Sequence, residues 1–120
     1  MQITKTDLFE DIAIAMEWWV TEVSSALTVS NAPIDWVEAQ EPYKRLQSVL
    51  AGSSTSREDV QSVFRESLLG FAVSFLTVLD GGTASAEKGR MYLVDAAGQH
   101  LGEGLHDDFV SYLMESGRLE

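Results

Sequence analysis

A chain of 120 residues and 13.2 kDa has room for one domain with a true core. Its 45% hydrophobic and 22% charged residues exclude a disordered or collagen-like chain, and the lack of cysteine excludes a disulfide framework, a thiolate metal site and a cysteine nucleophile. A net charge of −11 argues against nucleic acid, whose binding requires cations to replace phosphate counterions, and against anionic membrane surfaces.

The charge is unevenly laid out. Residues 1–42 carry −7, residues 43–90 carry +1 and residues 91–120 carry −5, so two acidic ends flank a neutral middle. Lys5 is followed by Asp7, Glu10 and Asp11, which is not the pattern of a secretory signal, and a cytoplasmic, bacterial protein is expected. One globular domain is expected over residues 1–118. Leu119-Glu120 matches an expression-vector junction and is left out of functional reasoning.

In chain order, the first helix is expected from Asp7 to Leu27, with Thr6 and Asp7 at its start and Glu10 in capping-box register. Leu8, Ile12, Met16, Trp19, Val23 and Leu27 recur at helical spacing and form its expected inner stripe, with Trp18 rotated toward Asp11 and Glu22. Asn31, Pro33 and Pro42 bracket a short segment, residues 34–40, with room for one or two helical turns. A second helix is expected from Pro42 to Gly52, then a polar linker over residues 52–56.

The third helix is expected over 56–80. Ser56 and Asp59 open it as a capping box, and Asp80-Gly81-Gly82 closes it. From Leu68 to Leu79 it is apolar nearly all round. That run is shorter than the roughly 20 residues of a membrane span, so it reads as a helix buried on several sides by its own chain or by a partner subunit. Gly70 costs about 1 kcal/mol against alanine inside a helix, which suggests a close helix crossing there.

Beyond a loop from Thr83 to Gly89, residues 90–95 and 100–103 alternate as two strands around Ala97-Gly98, giving a β-hairpin over 90–104. A last helix is expected from Asp107, with Phe109, Tyr112 and Leu113 inward and a stop at Gly117. The expected fold is therefore α+β and mainly helical, with about four helices around a buried central helix and one small hairpin.

Three places carry candidate chemistry. Leu79-Asp80-Gly81-Gly82-Thr83 resembles the Asp-x-Gly-Gly-Thr loop of sugar kinases, but lacks the intervening residue and follows a helix. His100, Glu103 and His106, near Asp95, Asp107 and Asp108, are metal-ligand types. The six-residue spacing of the histidines is not that of a metal-binding helix, and His106-Asp107-Asp108 is the one histidine–acid cluster suited to proton transfer. Neither a Walker loop nor a nucleophile elbow is present, so no cofactor and no enzymatic activity are expected.

The third is a surface: Trp18, Trp36 and Tyr43 lie among Glu17, Glu22, Asp35, Glu38 and Glu41, the aromatic anchors and acidic rim that suit a cationic partner. The run of helix, Asp-Gly-Gly, loop and strand from Phe75 to Asp95 resembles the SUKH superfamily of bacterial toxin-immunity proteins over that stretch alone. That family has a larger sheet than one hairpin.

The leading expectation is a non-enzymatic interaction protein that binds a basic partner protein to neutralise or regulate it. The alternatives are a homodimer seamed by Leu69, Val73 and Leu76 of the third helix, or a metal or small-molecule domain at His100, Glu103 and His106.

Overall fold

The computed structural model describes residues 2–54 and 57–119. In chain order they form α1 (Lys5–Thr28), α2 (Gln40–Leu50), α3 (Arg57–Leu79), a short 3-10 turn (Ala84–Glu87) and α4 (Leu105–Glu115). The capping role expected of Ser56 lies outside the described residues.

The α+β expectation is overturned. Among the described residues there is no strand, and the expected hairpin over 90–104 is reduced to one isolated antiparallel bridge between Val94 and His100. The turn itself forms: Asp95 Oδ1 accepts the Ala97 and Gln99 amides at 2.9 Å each, and the Leu101 amide donates to the Leu93 carbonyl at 3.0 Å. Pairing stops there for two reasons. Gly102 and Gly104 follow with φ of 100° and 71°, which turns the chain out of extended backbone. Met91, Tyr92 and Val94 are all exposed, so neither face of the ribbon is buried, and a two-stranded ribbon without a buried face is marginal in water.

α1 opens two residues earlier than expected. Thr4 and Asp7 cap each other: Asp7 Oδ2 accepts the Thr4 amide at 2.9 Å, and Thr4 Oγ1 accepts the Asp7 amide at 3.2 Å. Its inner stripe is turned by about one residue, or roughly 100°, in the first half of the helix, whereas Val23 and Leu27 are buried as expected. Phe9, Ala13 and Val20 are buried, whereas Leu8, Ile12 and Met16 are half-buried and Trp19 is exposed.

Two compact units are formed, one from Met1–Ala15 with Leu69–Glu120 and the other from Met16–Leu68. In the first, Phe9 of α1 packs on Phe109 and Tyr112 of α4, with ring centroids 5.4 and 5.9 Å apart, and Leu76, Leu105 and Leu113 are buried as well. In the second, Val23, Leu27 and Val60 form the core, with Tyr43, Leu50 and Phe64 against it. Gln47 Nε2 donates to the Ala26 carbonyl at 2.8 Å, tying α2 to α1. Residues 34–39 form turns and bends with no helix.

The expectation that α3 is a central helix buried by its own chain is corrected too, while the alternative of burial by a partner subunit concerns a second chain. Among its described residues only Val60 and Leu76 are buried, while Val63, Phe71 and Phe75 are exposed at 62%, 70% and 55%. A helix apolar nearly all round needs neighbours on every side, and α1, with its narrower apolar face, holds more of the buried residues instead. The segment Arg57–Glu87 contains one stretch long and apolar enough, by length and composition, to cross a membrane, with a mean hydropathy of 1.5 and 6% of it buried.

Candidate functional site

Consecutive residues on a helix point about 100° apart, so Trp18 and Trp19 cannot both enter a core from one narrow face. Both stay out. Their rings meet edge-to-face at 4.9 Å and 88°, and Trp36, from the turn after α1, closes on both at 6.5 and 5.9 Å. Tyr43 of α2 completes the row, 5.9 Å from Trp36. These edge-to-face arrangements place the positive ring edges on the negative faces, a geometry worth about 0.5–1.5 kcal/mol per pair beyond area burial. Trp18, Trp19 and Trp36 remain 51%, 45% and 38% exposed, so the tryptophans hold one another outside the core, and Tyr43 joins them to it. The chain's three tryptophans are all in it.

Sequence reasoning placed Trp18, Trp36 and Tyr43 together but assigned Trp19 to the interior. The signal that bears on it is the adjacency of two tryptophans on one helix, which cannot both enter a core from one narrow face.

The expected carboxylates have different partners. Glu17 grips Arg65 of α3 through both oxygens, at 2.7 and 3.1 Å, and this hydrogen-bonded pair raises the guanidinium pKa above its ordinary value, against the opposing effect of burial. Glu41 lies 3.5 Å from Lys44. Glu22, Asp35 and Glu38 have no salt-bridge partner among the described residues. Glu22 sits one turn beyond Trp18 on α1, while Asp35 and Glu38 flank Trp36 within the turn. Negative charge therefore stands beside the exposed rings along the chain.

The second candidate region is dispersed. His100 packs at a tilt of 44° against Tyr92, centroids 4.7 Å apart, and Arg90 lies over the same ring at 5.6 Å. Glu103 turns its carboxylate to Arg90 at 3.7 Å, and its carbonyl accepts from Lys5 Nζ at 2.5 Å. His106 belongs to Asp80. Among the described residues, no three histidine or carboxylate side chains come together as a metal-ligand set.

Asp80, the first residue after α3, gives the Asp-Gly-Gly segment its role. Its carboxylate accepts the Leu105 amide at 3.0 Å, the His106 amide at 2.8 Å, and a further bond from His106 Nδ1. α4 starts at Gly104, which has no side chain to cap the helix, so Asp80 acts as the cap from 25 residues away. Gly81 provides the left-handed residue at φ 79° that ends α3, and a Cβ there would meet the Arg90 side chain.

The bond to Asp80 holds the His106 imidazole above its ordinary range, against burial, with further help from the charges of Asp107, Asp80 and Asp108. For Asp80, burial pushes the carboxyl upward, but the bonds from His106 and Leu105 outweigh it and leave it below the usual carboxylate range. The arrangement is a cap and an ion pair between helix ends.

Comparison with protein families, curated proteins and solved structures finds no match to this chain.

Proposed function

We propose that the chain is a non-enzymatic interaction protein whose Trp18–Trp19–Trp36–Tyr43 surface binds a basic segment of a partner protein and thereby neutralises or regulates it. The observation that carries this reading is the row of four packed aromatic rings, its three tryptophans left exposed beside Glu22, Asp35 and Glu38 and its Tyr43 resting on the core. Rings held by one another lose little conformational freedom on binding, which is the property of an interface anchor. Their negative faces attract guanidinium and ammonium groups, and the carboxylates raise the encounter rate of a cationic partner.

Because the tryptophans all lie in this cluster, tryptophan emission, excited beyond the tyrosine absorption band, reports on this surface alone. A short arginine-rich peptide titrated at low salt is expected to change the emission, with affinity falling as salt is raised. An acidic peptide of equal length should leave the emission unchanged. Trp18→Ala is expected to weaken binding about tenfold or more, the effect of removing a central aromatic anchor, while keeping the helical circular dichroism spectrum of the parent. No emission change with the arginine peptide, or a change indifferent to salt, would overturn the reading.

A further inference from the structure

We propose that the chain forms a homodimer through the exposed face of α3 centred on Gly70, Phe71, Ser74 and Phe75, with a second copy of the same chain as the occupant.

Charge selects that occupant. Between residues 67 and 79 there is no charged side chain, and the surrounding segment, residues 43–90, carries +1, whereas the rest of the chain carries −12. Two copies meeting through either acidic end would set carboxylate against carboxylate. Through this part of α3 they meet with no like charge opposed, and a basic partner finds nothing on it to attract it.

Exposure gives the second argument. Phe71 and Phe75 are 70% and 55% exposed, and a specific dimer interface, which covers about 800 Å² on each partner, is built around such aromatic side chains.

The face also has the relief that a close crossing requires. Phe71 and Phe75, one turn apart, stack with centroids 6.5 Å from each other and form a ridge. Gly70 and Ser74, also one turn apart, form a shallow groove beside it, and a Cβ added at Gly70 would meet nothing within 4 Å in its own chain. Glycine is therefore not required there by any neighbour inside the protomer, and a two-fold crossing that sets the ridge of each copy into the groove of the other gives it a use. This differs from the seam expected from the sequence: Leu76 is buried within its own chain, and Leu69 and Val73 are half-buried.

The test is sedimentation equilibrium of the full chain from low to high micromolar concentration, with single variants. Wild type is expected at twice 13.2 kDa. Phe71→Glu should be monomeric with an unchanged helical circular dichroism spectrum. Gly70→Leu, a better helix former placed in open space, should keep the fold and raise the dimer dissociation constant about tenfold or more. Since the chain has no cysteine, Ser74→Cys should give a disulfide-linked dimer on mild oxidation, and Ser116→Cys at the end of α4 should not. A wild type monomeric at hundreds of micromolar, a dimer unaffected by both Phe71→Glu and Gly70→Leu, or no cross-link at Ser74→Cys would each overturn the proposal. So would a monomer that floats with phosphatidylcholine vesicles, which would assign the face to lipid.

Discussion

Replacing Asp80 by alanine removes the acceptor of two backbone amides and one imidazole N–H at the start of α4. The carboxylate is 7% exposed, so water replaces it poorly. Loss of a helix cap costs about 0.5–2 kcal/mol, and with two amides orphaned the upper end applies, about 2 kcal/mol. The ionic part of the His106 bond adds less, because that ring is 32% exposed and solvent screens it. At about 4 °C per kcal/mol for a chain of this size, the melting temperature should fall by about 8 °C.

The pH dependence tests the ion pair separately. His106 is raised above 6.5, so its contribution is complete below 6.5 and is lost as pH rises through the folded value. Asp80 is lowered beneath 3.8, so its contribution is present above 3.8 and is lost as pH falls through the folded value. The coupling between Asp80→Ala and His106→Ala, measured by urea unfolding of the double-mutant cycle, should therefore be largest between about 3.8 and 6.5. It should decline on both sides of that window, and above it the backbone cap should remain. A coupling near zero at pH 5.5, or an Asp80→Ala penalty that is flat from pH 3 to 9, would refute the charged pair.

Phe109→Ala, at a side chain with no exposed surface and a ring 5.4 Å from Phe9, should destabilise the unit containing α4 by about 3–5 kcal/mol in urea unfolding. Val94→Lys is expected to change stability by less than about 0.5 kcal/mol, since this residue is half exposed and belongs to one isolated bridge; a loss of several times that would show that the ribbon has a packed face.

The helices were legible because amphipathic spacing and caps are local. Phe109 and Leu113 at helical spacing mark the inner face of α4, and Asp80-Gly81-Gly82 marks the end of α3. What failed depended on partners distant in sequence. Residues 90–95 alternate like a strand, but alternation makes a strand only when one face is buried, and Tyr92 and Val94 stay about half exposed. The buried register of α1 follows from Phe9 meeting Phe109, a contact 100 residues long that no local period encodes. In the candidate regions, the acidic aromatic surface was visible in composition. The Asp80–His106 pair was not, because the histidine had nearer acids in Asp107 and Asp108 and only the fold brings the capping carboxylate to it.

The two proposed surfaces divide the chain's chemistry, and salt should act on them in opposite directions. The tryptophan surface carries carboxylates, so it attracts cations and repels its own copy; screening weakens both effects, and binding of a basic partner falls as salt rises. The Phe71–Phe75 face has no charge of its own, but each dimer brings together two chains of net charge −11, a repulsion that salt relieves. Self-association through α3 should therefore tighten over the same salt range in which partner binding loosens. A single surface serving both roles would instead show the two competing, with the arginine peptide dissociating the dimer.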